Sequence, residues 1–166
     1  MTQKKYELLK NDTVTAPNGK TLYRIKALID FGVVVAGSLG GYIEKEDNLA
    51  HSGNAWVYGD ARVYGDARVY GNARVYGNAR VSSDARVYGD ADLVWFSKVG
   101  TEQGTLTVYK SKDDSLLATR GCFSGTVDEF LAKSAEVHNE RIQREYRLLI
   151  EVAKSRLLGE SYAPTF

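Results

Sequence analysis

The chain of 166 residues carries a single cysteine, Cys122, so no disulfide can close within it, and a reducing cytoplasm is the expected setting. Histidine is almost as scarce. His51 and His138 stand far apart, and with one cysteine they form no zinc spacing, so no metal and no cofactor is expected. Long apolar runs are missing too. The opening MTQKKYELLK lacks the apolar core of a signal peptide, and no stretch is long enough to span a bilayer, which argues against a membrane partner. Excess charge is also absent: 22 Lys and Arg face 21 Asp and Glu. A balance of +1 gives no global field toward nucleic acid, which is disfavoured as a partner.

Against two prolines stand sixteen glycines and eleven tyrosines, a bias that points to a repeat. From Trp56 the chain reads WVYGDA, RVYGDA, RVYGNA, RVYGNA, RVSSDA, RVYGDA. Val57, Val63, Val69, Val75, Val81 and Val87 recur at every sixth position, and Ala55 to Ala91 keep the same period two residues earlier. A helix would scatter a six-residue period around its axis. In an extended segment Ala and Val two apart face one side and the intervening Arg faces the other, while Tyr-Gly-Asp/Asn turns a corner on residues that tolerate positive φ. AHSGNA at 50–55 continues the frame with His51 at the valine position, whereas SLGGYI at 38–43 fits it poorly.

This pattern resembles the hexapeptide repeat of left-handed β-helices, in which three hexads make one triangular coil. The resemblance implies a mainly β fold: a short left-handed parallel β-helix of two to three coils, most often a homotrimer in related proteins. Its thin interior and open ends call for caps. Upstream, KYELLK and TLYRIKAL flank the turn Ala16-Pro17-Asn18-Gly19, the signature of a β-hairpin. Downstream, LVWFSKV, GTLTVYK and SLLATRGCF read as three strands, Thr126-Val127-Asp128-Glu129 as a capping box, and two helices follow before Gly159. Phe130, Leu131, Ser134 and Val137 stripe the first helix, and Ile142, Tyr146, Leu149, Ile150, Ala153 and Leu157 the second. The division expected is a hairpin cap over 1–43, the β-helix over 44–97 and an α+β cap with two helices over 98–166, ending in a loose SYAPTF. The spacing Phe31-Gly32…Ala36-Gly37…Gly40-Gly41-Tyr42 before the repeat also resembles phage and prophage hexapeptide-repeat proteins, some of them labelled transferases or polymer-forming proteins. That resemblance places the chain in a bacterial host cell and carries over no catalytic residue.

Hexapeptide acyltransferases, which the prism resembles, often use a histidine base at a protomer boundary. Here His51 falls on an inward position and His138 at a helix end, so the expected base is missing and no catalytic residue is assigned. Cys122 in GCFSG reads as a buried structural residue in a turn before the capped helix. The outward ladders remain. A step of eighteen residues stacks Tyr58 over Tyr76, Tyr70 over Tyr88, Arg62 over Arg80 and Arg68 over Arg86. Such ladders commonly do no more than cover backbone and keep the surface soluble. Tyr and Arg are also the residues of interface hot spots, so Arg68, Tyr70, Arg86 and Tyr88 form the first candidate binding wall. Arg62, Tyr64 and Arg80 come second because Ser82-Ser83 breaks the aromatic column, either by drift or to admit a neighbour or the C-terminal helices. The leading expectation is a non-enzymatic trimer that engages a host protein, in counter-defence, or sequesters a small anion such as a nucleotide. An acyltransferase with an acyl-coenzyme A donor is the alternative, and a polymer-forming structural protein the third.

Overall fold

The structure, a computed structural model, describes residues 3–159; the SYAPTF tail lies outside the described residues. The repeat is a β-solenoid. Each hexad contributes one two-residue strand: β4 (Trp56–Val57), β5 (Arg62–Val63), β6 (Arg68–Val69), β7 (Arg74–Val75), β8 (Arg80–Val81) and β9 (Arg86–Val87). These pair in parallel eighteen residues apart, Val57 with Val75, Val63 with Val81, and Val69 with Val87. The same register holds Arg62 beside Arg80 and Arg68 beside Arg86. The six valines are no more than 1% exposed, and Ala55, Ala61, Ala67, Ala73, Ala79 and Ala85 are fully buried. Burial of each valine contributes roughly 1.5–3 kcal/mol before chain entropy is counted. The corners turn on Gly59, Gly65, Gly71 and Gly77 with φ between 59° and 66°, a region closed to most side chains.

The frame differs from expectation at both ends. Upstream, Leu49 rather than His51 takes the valine position, bridged to Val69, and Ile43 pairs with Val63. Ile43 and Leu49 are themselves six apart, and the next valine, Val57, follows after eight. Two extra residues in the loop before Ala55 therefore push His51 out of the interior, and the poorly fitting SLGGYI at 38–43 joins the solenoid through Tyr42 and Ile43, paired with Arg62 and Val63. Downstream the alanine period runs out: Ala91 is exposed in a short 3-10 turn, Asp90–Asp92.

Strands β1 (Tyr6–Thr15) and β2 (Thr21–Ala27) form a hairpin whose turn is closed by the Gly19 amide donating to Ala16 O at 2.9 Å. Through β3 (Leu39–Ile43) it joins β5 and β8 in one five-stranded sheet. The first residue of β1 and the lysine before it close the rest of the first coil. Tyr6 Oη donates to Leu49 O at 2.5 Å, and the buried Lys5 Nζ donates to Ala55 O at 2.6 Å. These carbonyls would otherwise be open strand edge.

At the other end β10 (Leu93–Val99), β11 (Gly104–Lys110), β12 (Leu116–Arg120) and β13 (Phe123–Thr126) form an antiparallel sheet. Four strands replace the three expected, because Gly121, at φ 58°, turns the chain between β12 and β13 and GCFSG runs into a strand. Cys122 sits on that turn and is exposed, not buried. Helices α1 (Val127–Val137) and α2 (Glu140–Leu158) cover the sheet, burying Phe130, Tyr146, Ile150, Ala153 and Leu157 against Leu106, Val108 and Ala118. The capping box forms, with Glu129 N donating to Thr126 Oγ1 at 3.1 Å and Thr126 N to Glu129 Oε1 at 2.9 Å. Val137 is an exception to its stripe, 57% exposed at the end of α1.

The sheet, not the helices, docks on the last coil, and the Ser82-Ser83 break is where it does so. Ser82 is 2% exposed. Its hydroxyl lies 3.3 Å from Tyr109 Oη and 3.1 Å from Ser124 Oγ, and Ser83 Oγ is 3.0 Å from the same Ser124. Alongside, Arg80 N donates to Thr107 Oγ1 at 3.0 Å and Thr119 Oγ1 donates to Arg80 O at 2.6 Å. A tyrosine at position 82 would occupy the space of these strands. No helix among the described residues is long and apolar enough to cross a membrane.

Candidate functional site

The outward side of β6 and β9 is the floor of a groove of about 730 Å³. Its residues come from three places. Arg68, Tyr70, Arg86 and Tyr88 rise from the ladder, Glu46, Asp47 and His51 stand at the first-coil end, and Lys110, Ser111 and Lys112 stand at the other. The last three arrive because Ser111 bridges to Ala85 and Lys112 N donates to Asp84 O at 3.0 Å, which lays the end of β11 beside β9. Sequence periodicity placed the ladder but gave no sign of these lysines, whose approach depends on the docking of a separate sheet.

Tyr70 and Tyr88 have ring centroids 3.6 Å apart at 52°. Burial, then the hydrogen bond to Tyr88, raises the pKa of the Tyr70 hydroxyl. Tyr88 is 61% exposed, so its outer side is open to a planar ligand. Arg86 is held by carbonyls of its own and the adjacent coil, with Nη1 donating to Ala85 O and Asp66 O, both at 2.8 Å. Lys110 pairs with Asp92 at 3.4 Å and Lys112 with Asp84 at 3.9 Å. Arg68 is exposed and makes no ion pair among the described residues. The groove thus mixes both signs: Glu46 and Asp47 stand at the first-coil end, Arg68 and Arg86 over the ladder, and Lys110 and Lys112 at the other end beside Asp92 and Asp114.

His51 lies in this groove without a free nitrogen. Nδ1 accepts from the Lys5 amide at 3.0 Å, which leaves the proton on Nε2 to donate to Glu46 at 2.9 Å. That donation is the largest cause holding the Glu46 carboxyl below its usual range. The ring also stacks on Tyr6 at 4.2 Å. A general base needs a free lone pair directed at the acceptor; the one on Nδ1 already accepts from Lys5, and Nε2 carries the proton given to Glu46. His51 joins the N-terminal segment to the first coil.

The second candidate set divides. Tyr64 is 4% exposed, packed with Leu22 and Tyr42 beneath the hairpin, and offers no stacking surface. Arg62 and Arg80 instead share a separate cavity with Arg120 of β12. His138 caps α1, with Nδ1 2.9 Å from Ser134 Oγ, and lines a small cavity of about 240 Å³ together with Cys122. No hydrogen bond joins the thiol to the imidazole among the described residues. No group of three or more potential metal ligands occurs among the described residues.

Comparison with known proteins supports the solenoid and touches the function. A family described as the YdcK beta solenoid repeat matches residues 55–71, 61–74, 67–83 and 73–89. An Escherichia coli (strain K12) protein described as "Uncharacterized acetyltransferase YdcK" is 49% identical over 37 residues, which are 22% of this chain and 11% of that protein. The chain therefore matches about a tenth of the relative's length, and the likeness is to a repeat β-helix family through the repeat.

Proposed function

We propose that the protein is a solenoid acyltransferase that takes an acyl-coenzyme A donor in the groove over β6 and β9. The observation that carries this reading is the pairing, in one groove, of the exposed Tyr88 ring with the cations Arg68, Arg86, Lys110 and Lys112. An aromatic base stacks on such a ring, and arginine forks and lysine ammonium groups donate hydrogen bonds to the phosphates of the acyl donor. The match to a relative described as an acetyltransferase favours this reading over a binding role alone. Transfer forms a bond from the acceptor's nitrogen or oxygen to the thioester carbonyl carbon as the C–S bond breaks, and the proton the acceptor sheds passes through solvent to the departing thiolate; His51 serves only as framework. In this reading the prism is left-handed and trimeric, and the flank of an adjacent protomer completes the groove. The hairpin and the C-terminal sheet act as caps, which disfavours end-to-end polymers because both ends of the solenoid are covered.

A second reading is favoured by one observation: both nitrogens of His51 are occupied. It is the non-enzymatic binding protein, of phage type and engaging a host factor or a nucleotide-like anion in the same groove. Thiol release from acetyl-coenzyme A, measured against a panel of amine and hydroxyl acceptors, separates the two. Release that is lost in the Arg68→Glu/Arg86→Glu protein supports transfer. Saturable binding without turnover on any acceptor supports the second reading.

A further inference from the structure

Three arginines meet on another face of the solenoid, that of β5 and β8. Arg62 and Arg80 stand side by side on adjacent parallel strands, β5 and β8. Arg120 approaches from β12, and together they line a cavity of about 410 Å³ with Asp60, Gln103 and Thr105. That volume lies within the roughly 300–1,000 Å³ of small-molecule sites. Three cations face one carboxylate, and neither Arg62 nor Arg80 makes an ion pair or a side-chain hydrogen bond among the described residues. Arg24 pairs with Asp12, Arg74 with Asp90 and Arg147 with Glu140, whereas Arg62 and Arg80, like Arg68, make no ion pair among the described residues. Burial, then the Arg62 charge, pushes the Arg80 pKa down, which marks a cation held at some electrostatic cost.

The third arginine is positioned by the C-terminal module. Arg120 Nε donates to Tyr146 Oη at 3.0 Å and Nη2 to Val99 O at 3.5 Å. Its guanidinium fits there because residue 104 is glycine; a Cβ at Gly104 would lie 2.7 Å from both Cζ and Nη1. The contacts to Tyr146 and Val99 occupy one edge of the fork, and Nη1 keeps its donors. Guanidinium groups from three backbone positions supply more donors than a planar carboxylate can accept, and they suit a tetrahedral oxyanion.

We propose that the Arg62–Arg80–Arg120 cavity binds the phosphate group of a small phosphorylated molecule, at a site separate from the β6–β9 groove. This does not rest on the acyltransferase reading, since the two sites share no residue. The test is an amide NMR titration of the full chain with inorganic phosphate, pyrophosphate and succinate at constant ionic strength. Saturable shifts are expected at the Gln103, Gly104 and Gly121 amides with phosphate and pyrophosphate. Arg62→Gln and Arg80→Gln should each weaken them about tenfold or more, the loss typical of a hydrogen bond to a charged group. Arg120→Lys should weaken binding by losing the fork while keeping the charge, and Arg68→Glu/Arg86→Glu should leave it unchanged. Unaltered dispersion outside the cavity shows that each variant is folded. Absence of saturable shifts below ~10 mM phosphate, a Kd too weak for a built site, overturns the proposal. So do shifts that survive Arg62→Gln/Arg80→Gln, and succinate binding as tight as phosphate overturns the phosphate assignment.

Discussion

Restoring the repeat consensus at position 82 should destabilise the protein. Five of the six hexads from Trp56 carry Tyr where the fifth carries Ser82, so a comparison of hexads alone would class Ser82→Tyr as a repair. The structure gives the opposite sign. Ser82 is 2% exposed, with its hydroxyl against Tyr109 and Ser124. A phenol ring there must displace β11 or β13. Overpacking a close-packed site costs about 1–3 kcal/mol, and each hydrogen bond lost adds about 1 kcal/mol. With two such bonds lost, the sum is about 3–5 kcal/mol. For a chain of this length each kcal/mol lowers Tm by about 2–4 °C, so the midpoint of thermal unfolding followed by circular dichroism should fall by about 6–20 °C. Ser82→Ala loses only the two hydrogen bonds and should cost about 2 kcal/mol. Tyr88→Ser makes the reverse exchange at a site 61% exposed and should cost about 1 kcal/mol, the contribution of its stack with Tyr70. An unchanged or higher Tm for Ser82→Tyr would refute the docking of the C-terminal sheet at this hexad.

The adjacent consensus change should behave differently: Ser83 takes φ 57°, the conformation that glycine holds in the preceding corners, so Ser83→Gly should leave stability within about 1 kcal/mol of wild type or raise it, as chemical denaturation would measure. Lys5 gives a pH signature. Burial lowers its pKa from 10.5 to about 8, so below pH 8 folded and unfolded chains are both charged and the desolvation cost is carried in full. Between about 8 and 10.5 the unfolded chain holds a proton that the folded one has shed, and this group's contribution to stability rises with pH. Lys5→Met should remove that rise, seen as the wild-type-minus-variant difference in denaturation midpoint across the window; a difference independent of pH would contradict it.

What could be read from residue order was the local and periodic part. A six-residue spacing of Val with Ala two before it has one economical solution, and the eighteen-residue step correctly set Arg62 beside Arg80 and Arg68 beside Arg86. The capping box at Thr126 and the stop at Gly159 were legible for the same reason, since caps are decided within four residues. His51 was misplaced because the strongest frame was extended past a two-residue insertion, although the six-residue step from Ile43 to Leu49 was there to count. Tyr64 looked outward like its neighbours, and only the fold of the hairpin buries it. Cys122 looked apolar and internal, but Gly121 turns a hairpin there. The lysines of the groove and Arg120 of the second cavity were invisible for a common reason: they come from strands whose position is set by side-chain contacts to Arg80 and Ser82.

The central claim is that the β6–β9 groove holds an acyl-coenzyme A donor, and equilibrium calorimetry of the full chain with acetyl-coenzyme A tests it most directly. Saturable binding is expected, weakened about tenfold or more in Arg68→Glu/Arg86→Glu, whose side chains point away from the valine core. It should be unchanged in Arg62→Gln/Arg80→Gln. Absence of binding, or equal affinity in wild type and Arg68→Glu/Arg86→Glu, would contradict the account.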